Sequence, residues 1–248
     1  MDISWFYEAD AATVTPYSAP HVLYLLVCFY TIYQVVKHRK MIAEKKDTCR
    51  KIAFGVILFQ QVVLLYGWYY FMTGFDITVS LPLHICRIAS LLALIFICTE
   101  DTRLMDVIFY FSVFALTSFF YPLDVYNFAH VNGISYMINH LMTVLTPICA
   151  AIIYKWRPTW AGYRRGVICF TIYFVTVYIL NPIIGSNYFY LVNRPFGNGF
   201  SYDVYCIGSY LVTVSGYGLI TALFTMDHAA ARKQIRKIIN RQDFLGHH

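Results

Sequence analysis

The stretch Leu81-Pro82-Leu83-His84-Ile85-Cys86-Arg87 places an imidazole, a thiol and a guanidinium within four residues of an otherwise apolar run. Ionisable groups inside a membrane span are costly and mark working sites. A thiol is only slightly ionised near neutral pH, but an imidazole that takes its proton leaves a thiolate, a nucleophile able to attack an ester. Cys86 is the candidate nucleophile and His140 the candidate base. Arg87 could hold a lipid phosphate or help steady the thiolate. On a regular helix His84 and Arg87 share a face, while Cys86 lies about 200° round from His84. All three therefore cannot enter one pocket if the segment is regular. With helix starting near Pro82, Cys86 is expected to face the pocket, with Arg87 or His84 at its edge.

These residues need a scaffold, and the composition says which. The 248 residues are 59% hydrophobic and 19% aromatic but only 13% charged, about half the charge of a soluble domain. Long apolar runs recur from His21 to Met226, which predicts an all-α, polytopic membrane protein. Seven transmembrane helices are expected, at about 20–37, 51–73, 79–98, 104–120, 133–154, 165–185 and 204–226. One membrane domain fills residues 1–226, followed by a basic tail over 227–248. A signal peptide is not expected, because Asp2, Glu8 and Asp10 stand where a basic region would be. The seven cysteines are scattered without paired spacing, so no disulfide framework is expected.

Charge gives the orientation. Of the 19 Lys and Arg residues, seven lie between Lys37 and Lys51, four between Lys155 and Arg165, five after Asp227, and one is Arg103. All of these fall on one side of a seven-span chain. The positive-inside rule puts that side in the cytoplasm, with the N-terminus outside and the C-terminus cytoplasmic. The tail, with Ile235, Ile238 and Ile239 on one side of a basic helix, is expected on the inner leaflet. Tyr121, Tyr126, Tyr188, Tyr190 and Tyr202 on the outer side read as interface anchors.

Topology converts position into depth. Cys86 lies about seven residues into the third span and His140 about seven into the fifth, both running inward, so each sits ~10 Å below the outer end. Asn181 falls in the same layer, near the outer end of the sixth span. Gln60, Gln61 and Asn139 are expected to bond between helices, and Pro147 and Pro182 to kink theirs. Asp124 could orient His140 as the third member of a triad. The segment Gly185-Ser186-Asn187-Tyr188-Phe189-Tyr190 could form a lid or rim, with Asn181 or Asn187 holding an oxyanion.

Leu81-Pro82-Leu83-His84-Ile85-Cys86 opening a span, a later Asn139-His140, and Gly185-Ser186-Asn187-Tyr188 together resemble the YwaF-like bacterial relatives of human transmembrane protein 164, over most of residues 20–226. The resemblance implies an acyltransferase that remodels phospholipids, with Cys86 at the nucleophile's position. It also implies a fold similar to that of androgen-induced-type hydrolases, whose Thr and His lie two helices apart. Cys86 and His140 keep that separation. The expected function is lipid acyl transfer through a Cys86 thioester, in a bacterial plasma membrane, with phospholipids as donor and acceptor and no cofactor, metal or nucleic acid. Two alternatives remain. One is a lipid or small-molecule carrier; the other is a zinc hydrolase using His84, His140 and an acid such as Asp124.

Overall fold

The computed structural model describes residues 4–9 and 11–245, with side chains as far as Met226. Asp2 and Asp10, and the side chains of Ile235, Ile238 and Ile239, lie outside the described residues. Among those residues there is no strand, only an isolated bridge between Thr13 and Tyr126.

The principal helices are α1 (Ala19–Lys37), α2 (Lys46–Thr73), α3 (Ile85–Thr99), α4 (Met105–Phe120), α5 (Val131–Ile153), α6 (Trp160–Ile184) and α7 (Tyr202–Leu245). A short helix, Arg39–Glu44, joins α1 to α2. Six helices among the described residues are long and apolar enough to cross a membrane. The expected third span is the exception. Helix covers only the 15 residues Ile85–Thr99, about 22 Å, short of the ~30 Å bilayer core. It is preceded by a single turn, Ile77–Ser80, and a non-helical stretch over 81–84. Pro82 thus lies outside the helix rather than in its first turn.

α6 shows how the sequence sorts itself between lipid and core. Ile168, Ile172, Val175, Ile179 and Ile183 recur every three or four residues and are all exposed, a stripe suited to acyl chains. Its opposite face buries Gly162, Gly166, Phe170, Tyr173, Val177 and Asn181. The two glycines let α4 approach closely, as small residues do between membrane helices. A Cβ at Gly162 would come within 2.6 Å of the Asp106 carboxylate, and one at Gly166 would overlap the Tyr110 ring. At this end of the bundle Arg165 donates to Asp106 through both Nε and Nη2, and Trp156 adds its Nε1 at 3.2 Å.

α2 is distorted where it meets the core. Its Gln60–Tyr66 segment is a π-helix, and the wider turn sends two consecutive glutamines to the same neighbour. Gln60 Nε2 donates to Ser135 Oγ at 2.8 Å and Gln61 Nε2 to Asn139 Oδ1 at 3.0 Å. Ser90 Oγ of α3 also donates to Asn139 Oδ1 and lies 3.1 Å from Thr143 Oγ1. The expectation of interhelical bonding by Gln60, Gln61 and Asn139 is met. Their network ties α2, α3 and α5 together one turn beyond Cys86.

The N-terminal segment is strapped to α2 and to the loop before α5. Val14 N–H donates to Val125 O at 2.6 Å, Trp68 Nε1 to Tyr7 O at 2.9 Å, and His130 Nε2 to Glu8 O at 3.0 Å. His130 also caps α5, accepting from Asn132 N–H on Nδ1.

Candidate functional site

Cys86 is the second residue of α3, and the helix starts there because the preceding backbone turns away. His84, the residue before the helix, has extended backbone (φ −70°, ψ 128°). Since His84 is not in the helix, the phase conflict with Cys86 does not arise. The carbonyls of this irregular stretch would be stranded in an apolar bundle, and each such loss is expensive. Side chains supply the partners. Arg87 Nη1 donates to Val79 O at 2.9 Å and Leu81 O at 3.2 Å, and Tyr173 hydroxyl to Leu83 O at 3.0 Å. The Tyr188 hydroxyl does the same for Ile77 O at 3.0 Å. The break that presents Cys86 is therefore held open by Arg87 and two tyrosines.

Arg87 is only 8% exposed. Its Nη2 donates to the Tyr69 hydroxyl, and its guanidinium lies 4.8 Å from that ring's centroid. None of the ion pairs among the described residues includes it. A buried cation without a carboxylate is a place where an anion is welcome.

Cys86 is equally buried at 8% and packs with Ile85, Ala89, Phe111, Tyr173, Tyr188 and Tyr217 in the main core. A thiolate there would lie at the N-terminal end of α3, where helix N–H groups favour negative charge. His140 Nδ1 is 2.9 Å from Tyr136 O. Because a carbonyl can only accept, Nδ1 carries the proton and Nε2 is left as the acceptor, the tautomer a general base requires. The Tyr136 ring lies 4.0 Å from the imidazole and Phe119 6.0 Å. His84 and Arg87, which flank Cys86, both lie within electrostatic reach of His140. The structure thus brings His84, Cys86, Arg87 and His140 into one region; Cys86 and His140 are not hydrogen-bonded to each other. His84 rests edge-on against Tyr188, 5.0 Å between ring centres.

The other expected residues are placed differently. Asp124 is exposed in a left-handed conformation (φ 52°) and lines an outer cleft of about 380 Å³ with Tyr190, Asn193 and Arg194. The group that orients His140 is a backbone carbonyl, not Asp124. Asn181 is fully buried and committed to its own loop: Nδ2 donates to Tyr188 O, and Oδ1 accepts from Ser186 Oγ and Tyr188 N–H. Asn187 Oδ1 accepts from the N–H groups of Val192 and Asn193, both at 3.0 Å. These two asparagines shape a loop in which Phe189 and Tyr190 are consecutive left-handed residues (φ 60° and 53°). Phe189 is thereby pushed inward against Phe114, 5.0 Å between ring centres. Tyr188, expected at the interface, is 1% exposed. A cleft of about 600 Å³ opens beside Pro182, Gly185 and Tyr202; Cys86 and His140 line neither cleft.

Tyr69, Tyr136, Tyr173 and Tyr217 were missed in the sequence. Tyr173 and Tyr217 carried a signal of position, since both fall mid-span, away from the interface that tyrosine prefers; Tyr69 and Tyr136 lie about one turn from predicted span ends and carried none.

Neither the curated proteins nor the solved structures gave a match. A family model does match, over residues 13–226, which takes in the broken stretch, α3, His140 and the loop after α6. The chain belongs to the TMEM164 family.

Proposed function

We propose that this membrane protein is a lipid acyltransferase in which Cys86 forms a thioester with an acyl chain taken from a phospholipid. The observation that carries the reading is the fixed tautomer of His140, with Nδ1 tied to Tyr136 O, in the same buried region as a thiol at a helix start. His140 Nε2 takes the thiol proton, Sγ attacks the ester carbonyl carbon, and the lysolipid oxygen leaves with that proton. A second lipid alcohol, or water, reverses the step and carries the chain away. Arg87, buried without a carboxylate, supports binding of the substrate phosphate. His84 lines the same region.

The excess of basic residues on the loops opposite this end of α3 supports a site in the outer leaflet, and the resemblance to bacterial members supports a bacterial plasma membrane as the setting. The carrier reading draws on the same unpaired Arg87 but gives Cys86 no work. A zinc hydrolase lacks a third ligand beside His84 and His140, since Asp124 is at the outer surface; no such trio converges among the described residues.

The test is intact mass spectrometry of protein incubated with phospholipid vesicles. An acyl adduct removable by hydroxylamine and absent from Cys86→Ala is expected. Lipid binding or transfer that persists undiminished in Cys86→Ala, without any adduct in the wild type, would sink the proposal in favour of a carrier.

A further inference from the structure

The acyl-transfer reading leaves one group unassigned. When Sγ attacks an ester, the carbonyl π pair moves onto oxygen, and that oxyanion needs a hydrogen-bond donor in a dry site. The asparagines near the sequence motif are committed to the loop after α6. Arg87 Nη1 and Nη2 already bond Val79 O, Leu81 O and the Tyr69 hydroxyl, and its charge is the one assigned to the phosphate.

The core around Cys86 buries four tyrosines, Tyr110, Tyr173, Tyr188 and Tyr217. Three of their hydroxyls have clear structural duties. Tyr110 lies 2.6 Å from Thr221 Oγ1, Tyr173 donates to Leu83 O, and Tyr188 donates to Ile77 O. The fourth does not: Tyr217 is 2% exposed, and its hydroxyl finds no hydrogen-bond partner among the described residues. An unmade hydrogen bond in the core costs about 1–3 kcal/mol, so such a hydroxyl needs a reason to exist. Its ring is fixed by Tyr110 at 4.8 Å and Phe170 at 5.6 Å between centres, and it lies within electrostatic reach of Cys86 without being bonded to the thiol.

We propose that the Tyr217 hydroxyl is the oxyanion donor of the reaction at Cys86, a further catalytic residue contributed by α7. It donates its hydrogen bond to the carbonyl oxygen as the C–S bond forms. It keeps its proton throughout, and it releases the oxygen when the tetrahedral intermediate expels the lysolipid.

The test is the time course of Cys86 acylation in Tyr217→Phe, followed by intact mass with vesicles of dioleoyl phosphatidylcholine and phosphatidylethanolamine, alongside thermal unfolding. Removing an unpartnered hydroxyl is expected to leave the melting temperature unchanged or raise it, while acylation slows on the order of a hundredfold, as for loss of one oxyanion donor. Tyr110→Phe, which loses a paired hydroxyl, is expected to do the reverse: a lower melting temperature and an unchanged acylation rate. Wild-type protein acylated on Cys86 with Tyr217→Phe acylated at the same rate overturns the Tyr217 assignment alone. So does a slowing matched by a fallen melting temperature. Wild-type protein that never acquires an acyl chain on Cys86 overturns the acyl-transfer reading, and this assignment with it.

Discussion

The Arg87 guanidinium lies over the ring of Tyr69, 4.8 Å from its centroid, and donates to its hydroxyl. The remaining contacts of that guanidinium are the Val79 and Leu81 carbonyls. One side chain of α3 therefore holds both α2 and the broken stretch before itself. Arg87→Ala strands Val79 O and leaves Leu81 O only its bond from Leu83 N–H at 2.8 Å, and should cost about 1–3 kcal/mol. Thermal unfolding in detergent is expected to show a clear drop, with Arg87→Lys intermediate because a single ammonium cannot span the same three acceptors. An Arg87→Ala protein as stable as wild type would leave the guanidinium a ligand group only.

The fixed tautomer of His140 makes a separate forecast. His140→Gln removes the base but keeps a polar side chain of similar reach, so the fold should survive. Acylation of Cys86 should fall by roughly 10²–10⁴-fold, the contribution of a positioned base. Alkylation of the thiol by a membrane-permeant maleimide should slow in parallel. Unchanged kinetics in both assays would remove His140 from the chemistry.

The contact between α4 and α6 predicts intolerance of a methyl group. At Gly166 a Cβ would run into the Tyr110 ring, and overpacking of this kind costs about 1–3 kcal/mol. Gly166→Ala should lower the melting temperature, and Gly208→Ala, where nothing lies within 4 Å of the added carbon, should not.

The strap across the loop before α5 should respond to acid. Burial holds the His130 imidazole below its ordinary value of 6.5, partly opposed by its bond to Glu8 O. The ring faces Tyr126, stacked at 4.3 Å, and Trp68 at 6.2 Å, with no charged side chain among its hydrogen bonds. The folded state thus favours the neutral ring. Its contribution is present above pH 6.5 and declines as pH falls below 6.5 toward the folded-state value. Hydrogen-exchange protection over residues 7–9, taken relative to the intrinsic rate at each pH, should fall on acidification in wild type and be less pH-sensitive in His130→Gln.

At the other end of α3, Glu100 titrates lower than an ordinary carboxylate. The Tyr154 hydroxyl bonds to it, and Arg50 and Lys46 lie close. This cluster closes the helix that begins at Ile85, and it is remote from Cys86.

The spans were legible because a bilayer demands some 20 apolar residues per crossing, and helix ends at 19–37, 105–120 and 131–153 fall within two residues of expectation. The third span was not, because hydropathy cannot distinguish helix from irregular backbone whose carbonyls are bonded by side chains. Pro82 was read as a first-turn residue, yet Leu81 O and Leu83 O are taken by Arg87 and Tyr173 from elsewhere in the bundle. Depth matching singled out Cys86, His140 and Asn181, but depth says nothing about whether an amide is already engaged by its own loop, as that of Asn181 is.

The short α3 has a consequence for how the chain completes this crossing. Fifteen residues of helix leave roughly 8 Å of a normal hydrocarbon layer to be spanned by other backbone, and the turn at 77–80 and the irregular stretch over 81–84 directly precede Cys86. Irregular backbone at membrane depth persists only where protein bonds its polar groups. The bonds from Arg87, Tyr173 and Tyr188 are thus a condition of the crossing itself, not an ornament of the site.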